Sequence, residues 1–336
     1  MELDTKDRRI LLELDTDASQ TLKQIARKLR TSKEVVAYRI KQLEKAGIIS
    51  NFTAIYNSWK LGLMYYMIYV KFAHITEEKK QEIVDFVRNG RNFGWMSLSE
   101  GTFDMMIGAH FPSVTDFEKY RNEFFSRFDM YFQKDAFALL TEGESYPRQY
   151  VLGGKQDKVA KTSRDFPMRK VFKFTVPSEK EKLDTEDLRI LKMLAENSRQ
   201  PLTDMAKILG MTERVVPYRK RMLEKKGVIV GYKLFIDSRE LNYTLFKCLI
   251  KLHGAGQKRF NDLLGYARQH PNVIYWEKTL GEWDIELHIE VSSPEEFYSI
   301  ANDVRYKFSD VVRNFDTLLV TEDAPILEKH NNITQK

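Results

Sequence analysis

Two strings of this sequence carry side chains suited to recognising another molecule. The first runs from Ser32 to Lys41, with Val36, Ile40 and then Leu43 at helical spacing. The apolar set takes one face, so Lys33, Glu34, Ala37, Tyr38 and Lys41 fall on the other, with Ser32 placed to cap the helix. The second string repeats the plan, with Thr212 as cap and Glu213, Arg214, Tyr218 and Arg221 outward. A third feature occurs twice, as Gly101-x-x-Asp104 and Gly281-x-x-Asp284. There the aspartate can accept hydrogen bonds from an ammonium group and the glycine allows close backbone approach. A hairpin turn with an internally satisfied aspartate explains the same letters. Trp95, Trp276 and Trp283 either line this region or pack in the core.

Other chemistries find no support. His110 aligns with Glu290, and His74 and His253 fall in adjacent columns, so the six histidines make no ligand cluster. Cys248 is the only cysteine, which rules out an intramolecular disulfide and a cysteine-based metal cluster. No glycine-rich phosphate loop or nucleophile elbow is present. No catalytic residue, metal or cofactor is expected. The longest apolar run, residues 61–70, is broken by Gly62 and is too short to span a bilayer. The start Met1-Glu2-Leu3-Asp4 is acidic and polar, unlike a signal peptide. The chain is expected to be soluble and cytoplasmic, with no membrane partner.

Three short helices must position the first string. Asp4 with Asp7 caps the first, whose inner face is Ile10, Leu11 and Leu14, and Thr21 with Gln24 forms a capping box for the second. After the break Arg30-Thr31 the string itself is the third helix, stopped at Gly47. Two helices joined by a turn of about three residues, the second of them basic, form a helix-turn-helix arrangement. Beyond a β-rich exit over 48–55, strands over 65–72, 93–99, 103–110 and 132–140 alternate with helices over 77–88 and from Ser113. That is the ferredoxin-like βαββαβ order. Phe117, Tyr120, Phe124 and Phe128 form a core stripe.

All of this happens twice. From Leu3 to Glu142 the chain reads against itself at a shift of 180 residues without a gap. Roughly 21 of the first 50 aligned positions are identical, far above a chance register. The fold class is therefore α+β: a tandem duplication of a winged-helix-like helix-turn-helix module followed by a ferredoxin-like domain. The boundaries are 1–60 and 61–146, a basic linker 147–182, then 183–240 and 241–324, and a tail 325–336. Gly153-Gly154 and the basic composition suit a partly flexible linker, while Phe172 and Phe174 alternate as in an extra strand over 171–176. Charge follows the division. Residues 3–62 come to +5, 183–242 to +3 and the linker to +6, whereas 63–146 and 243–323 each come to −4. Positive charge on the helical thirds and the joint is what phosphate binding requires, although solvated helix faces would give it too.

The string Leu3-Asp4-x-x-Asp7-x-x-Ile10-Leu11, with Ile25-Ala26 and Ser32-x-x-x-Val36-x-x-Arg39-Ile40-x-x-Leu43-Glu44-x-x-Gly47-Ile48-Ile49, resembles the DNA-binding module of the leucine-responsive/asparagine (Lrp/AsnC) regulators. The βαββαβ unit with Gly101-x-x-Asp104 is similar to that family's effector-binding and oligomerisation domain. The resemblance implies a sequence-specific transcription regulator acting on double-stranded DNA and modulated by an amino acid or other small effector. It implies a homodimer or a pseudo-dimer within one chain. The third helices would enter the major groove, and Arg39 and Arg219 match the family's recurrent arginine, which grips phosphate or ties helices together. Gly101, Asp104, Gly281 and Asp284 align with the effector loop.

Repeat two departs from the pattern. Pro217 falls near the fifth position of its third helix, where an interior proline costs about 3 kcal/mol and bends the helix, and Lys220 replaces the apolar Ile40. Repeat one is therefore expected to read bases and repeat two to be a weaker or different reader. Two alternatives stand beside this. Siroheme decarboxylases resemble the same fused architecture, but that branch carries a histidine-containing segment before the middle loop. Residues 96–100 and 276–280 hold no histidine. A protein that recruits other transcription factors, using one module for DNA and the other for protein, is the third reading.

Overall fold

The computed structural model describes residues 2–90, 92–152, 172–177, 179–254 and 256–325. Helix α1 (Thr5–Thr16) opens on a reciprocal capping box between Asp4 and Asp7, and α2 (Leu22–Leu29) on one between Thr21 and Gln24. Each box satisfies two backbone donors that a helix start leaves over. Arg30 closes α2 in the left-handed region, φ 51°, which turns the chain sharply into α3 (Lys33–Lys45). Ile10, Leu14, Ile25, Val36, Ile40 and Leu43 meet as one core. The second module repeats the three helices and their core, though not the reciprocal capping boxes, with α6 (Thr185–Glu196), α7 (Leu202–Leu209) and α8 (Val215–Lys225).

The wing strands join the modules. Strand β1 (Ile49–Tyr56) pairs antiparallel with β7 (Ile229–Ile236), and Thr53 stands opposite Lys233. These two residues occupy the same position in their repeats, so a pseudo-twofold axis passes through the pair. The contacts around it are exchanged in kind. The Ala18 N–H donates to Tyr232 O at 2.9 Å, and the equivalent Ser198 N–H donates to Phe52 O at 2.9 Å. Both modules consequently share one apolar core.

Each module is followed by the expected βαββαβ unit. In repeat one this is β2 (Met64–Phe72), α4 (Glu77–Asn89), β3 (Phe93–Gly101), β4 (Met105–Phe111), α5 (Val114–Phe128) and β5 (Phe132–Ser145). In repeat two it is β8 (Thr244–Leu252), α9 (Gln257–Gln269), β9 (Val273–Gly281), β10 (Ile285–Val291), α10 (Pro294–Lys307) and β11 (Val312–Pro325). The linker contributes β6 (Phe172–Thr175), within the span expected to hold a strand. Its Gly153-Gly154 stretch and tail residues 326–336 lie outside the described residues.

Strands β2-β4-β3-β11-β8-β10-β9-β5-β6 form one sheet, and a further β2–β5 pairing closes it into a ring. The pseudo-dimer is thus made within a single chain. Its seams are β3–β11 and β5–β9, where Gly101 lies opposite Leu318 and Gly281 opposite Ala138. A side chain at either glycine would meet the other repeat's backbone, 2.6 Å from Thr317 O or 2.4 Å from Phe137 O. Helices α4, α5, α9 and α10 cover the outer faces over two aromatic-rich cores. The inner faces look at one another across the ring and continue into the core of the winged modules.

Candidate nucleic-acid interface and an internal charged cavity

Helix α3 begins where Ser32 Oγ accepts the Val35 N–H at 3.2 Å, as its sequence requires. Lys33, Glu34, Tyr38 and Lys41 are exposed, and Ala37 is half-buried beside them. Arg39 turns the other way. Its guanidinium donates to Asp4 at 2.8 Å and to Asp7 at 2.7 Å, locking α3 to α1. The Asp7 backbone N–H, together with Arg39, outweighs the small cost of burial and holds the Asp4 carboxyl down to about 2. Arg219 makes the same joint with Asp184 and Asp187 at 2.8 Å, and adds Glu186.

Helix α8 begins two residues later than α3, and Thr212 does not cap it. Pro217 is the cause. Lacking an N–H, it cannot bond back to Glu213, and its ring crowds that carbonyl. The first intrahelical bond is therefore the next one, Tyr218 N–H to Arg214 O at 3.4 Å. Pro217 lands in the first turn, where the missing donor costs nothing, rather than in the helix interior where the sequence placed it. Lys220 is accommodated too. Its ammonium bonds Glu224 at 2.8 Å and lies 4.6 Å from the Tyr232 ring centre, with Tyr232 OH donating to the same carboxylate at 2.6 Å. Thr212, Glu213, Arg214, Tyr218 and Arg221 remain exposed. Tyr38 and Tyr218, at equivalent positions, are 65% and 60% exposed.

At the middle loops Asp104 accepts the Phe72 N–H at 2.8 Å and the Lys71 ammonium at 2.5 Å. Asp284 does the same with Leu252 N–H at 2.8 Å and Lys251 at 3.1 Å. The tryptophans separate. Trp276 packs on the outer layer, with its indole N–H on Glu144, while Trp283 and Trp95 point into the ring.

Inside the ring lies a constellation that the sequence reading missed. Tyr69 on β2 and Glu286 on β10 belong to non-adjacent strands, yet Tyr69 OH donates to Glu286 at 2.6 Å, as does Trp283 Nε1 at 2.7 Å. The Lys247 ammonium stands 2.5 Å from Glu286 and 4.0 Å from Glu277, and His288 Nε2 is 3.3 Å from Glu277. Burial alone would raise the Glu277 carboxyl; His288 and Lys247 pull it below the ordinary range. Glu277, Glu286 and His288 offer ligand atoms within 4.8 Å of one another, but Lys247 already supplies positive charge at that spot. Next to it, Arg148 bridges Asp15 at 3.1 Å and Glu290 at 2.8 Å, tying the linker to α1 and β10. Lys247, Glu277, His288, Arg148 and Glu290 border a cavity of about 480 Å³, a size usual for small-molecule sites.

The repeat-one counterparts of Lys247, Glu277, Glu286 and His288 are Met67, Ser97, Met106 and Gly108. A side chain at Gly108 would collide with the Tyr65 phenol, which fills that space. The matching cavity is smaller, about 230 Å³, and is bordered by Tyr56, Trp59, His110, Leu140 and Phe174. The signal for the charged set lay in those four columns, each neutral in one repeat and ionisable in the other.

Architecture and site together define a tandem winged-helix protein with an intramolecular ferredoxin-like pseudo-dimer. Residues 3–50 and 183–230 each match the winged helix-turn-helix DNA-binding family model. The HTH-type transcriptional regulator FL11 of Pyrococcus horikoshii is 24% identical over 153 residues, 46% of this chain and 95% of that protein. Regulatory protein AsnC of Haemophilus influenzae is 26% identical over 145 residues, 43% of this chain and 95% of its own. Nearly whole relatives thus align with about half of the chain. The chain carries two winged helix-turn-helix modules and is similar to regulators of the Lrp/AsnC type. The solved siroheme decarboxylase NirDL shares the fold, with TM-score 0.61 and 14% identity over 95% of this chain and 92% of that one. Among the described residues no helix is long and apolar enough to cross a membrane.

Proposed function

We propose that the chain is a cytoplasmic transcription regulator of the Lrp/AsnC type that binds double-stranded DNA as a one-chain pseudo-dimer. The observation carrying this reading is the outward face of each third helix. A solvent-exposed tyrosine stands among basic residues in both repeats, while the neighbouring arginine is withdrawn into the helix joint. Ser32, Lys33 and Lys41 serve phosphate, and Ala37 and Tyr38 meet base edges. Arg39 and Arg219 position their helices. In repeat two, Thr212, Glu213, Arg214, Tyr218 and Arg221 present a face shifted by the late helix start, which makes repeat one the main reader of bases and the preferred operator asymmetric.

Fluorescence anisotropy with the full chain and a genomic operator tests this. Tyr38→Ala with Lys41→Ala is expected to weaken specific binding by at least about tenfold, and Tyr218→Ala with Arg221→Ala by less. Log affinity should fall linearly with log salt. Equal losses from both pairs would remove the asymmetry, and no salt-dependent binding would remove the function. An effector at Gly101–Asp104 or Gly281–Asp284 would have to displace Lys71 or Lys251 from its aspartate.

One observation favours a second reading. The fold shared with NirDL is accompanied here by buried ionisable groups around a cavity. Mass spectrometry of siroheme after incubation with the chain separates the two, since only a decarboxylase removes carbon dioxide.

A further inference from the structure

Lys233 stands apart from every other charge in the ring. Its side chain is 2% exposed and borders the larger cavity. Among the described residues it hydrogen-bonds only the Ser145 hydroxyl and has no carboxylate within 4.0 Å. A buried ammonium without a counter-charge is costly, and a fold that needs no charge there would not keep one. The other repeat shows that it needs none. The equivalent residue, directly across the ribbon, is Thr53, whose hydroxyl is used internally on Ala195 O at 2.6 Å.

The surrounding groups decide the sign of the missing partner. Glu277, Glu290 and Asp323 also border the cavity, but each already has a donor or cation beside it: His288 at 3.3 Å, Arg148 at 2.8 Å and the Trp95 indole at 2.7 Å. The aromatic faces that would attract an incoming amine are likewise covered by the chain's own ammonium groups. Lys233 lies 3.9 Å from the Tyr275 ring centre and Lys247 lies 5.2 Å from that of Trp95. What remains open is one cation and an apolar wall of Tyr65 and Met67.

We infer that this cavity binds one small organic carboxylate per chain, its charge on Lys233 and its apolar body against Tyr65 and Met67. It would be the effector site of the proposed regulator, and only repeat two equips it. Binding is read on the full chain without DNA, so its failure leaves the DNA-reading proposal standing.

Calorimetric titration and thermal shift with phenylacetate, against phenethylamine as the cation of matched body, test the inference. Phenylacetate is expected to bind at one site per chain and raise Tm, and phenethylamine to do neither. Lys233→Met should weaken phenylacetate binding by at least about tenfold while holding or raising the Tm of the free chain, because it removes an unneutralised buried charge. Trp59→Leu, in the smaller cavity, should leave binding unchanged. Undiminished binding by Lys233→Met, preference for the amine, loss with Trp59→Leu, or no binding of phenylacetate at millimolar concentration would each overturn it.

Discussion

Repeat one fills its half of the ring interior with Met67, Ser97, Met106 and Gly108, where repeat two places Lys247, Glu277, Glu286 and His288. Both halves have the same strands, the same seams and the same glycines at the crossing points. The fold therefore does not require charge in its centre, and the neutral half is the control for the charged one. Ionised groups taken out of water cost several kcal/mol each and are seldom repaid in stability. Their confinement to one repeat reads as a function gained after duplication, which a symmetric homodimer cannot restrict to one side.

The sharpest way to break this comparison is to give repeat two the residues of repeat one. Lys247→Met leaves Glu286 buried with only neutral donors, and is expected to destabilise by about 3–5 kcal/mol, as for other broken buried pairs. Adding Glu286→Met, which completes the Met67/Met106 arrangement, should recover most of that loss. Urea denaturation midpoints of the two variants make the check. A double variant as unstable as the single one would mean that the charges hold the ring together.

A seam carries the second contrast. Arg88 and Arg268 occupy equivalent positions, yet Arg88 pairs with the half-exposed Glu322 at 2.8 Å while Arg268 reaches the buried Glu144 at 2.6 Å. Burial pushes the Glu144 carboxyl up, but Arg268, Trp276 and Tyr146 outweigh it and hold it down to about 2, against an ordinary 4.5. Such a depressed acid stabilises the fold fully above pH 4.5, and its contribution fades as pH falls from 4.5 towards 2. The shift corresponds to about 3 kcal/mol. Glu144→Gln should lower stability at neutral pH and flatten this acid limb. Arg88→Gln should cost about 0–1 kcal/mol, as exposed pairs do. A wild-type acid limb in Glu144→Gln would show that other carboxylates set it.

What the letters revealed follows physical range. The capping pairs Asp4/Asp7 and Thr21/Gln24 and the stripe Phe117–Phe128 are local, and each appears where its spacing placed it. The βαββαβ order was legible for the same reason. The ring interior was not. Glu286, His288 and Glu290 alternate with Ile285, Leu287 and Ile289, which is the pattern of a strand with one face in water. Only the seams β3–β11 and β5–β9, joining residues of different repeats, turn that polar face inward. Long-range closure leaves no mark in a local pattern. The start of α8 was misplaced for a different reason: repeat two was given the register of repeat one, although Pro217 breaks the one backbone bond on which that register depends.

That bond yields the smallest of the three contrasts. Ser32 caps α3, so Ser32→Ala should cost about 1 kcal/mol. Thr212, its counterpart, caps nothing, and Thr212→Ala should stay within about 0.5 kcal/mol, like an ordinary surface change. Pro217→Ala restores the donor that can reach Glu213 O, and so allows α8 to start at Glu213 with Thr212 as its cap. In that background Thr212→Ala should become costly, giving a coupling of about 1 kcal/mol in a double-mutant cycle followed by thermal denaturation. Zero coupling would show that the late start is set by the packing of Val215 and Val216. The shifted face of repeat two would then not be a consequence of the proline.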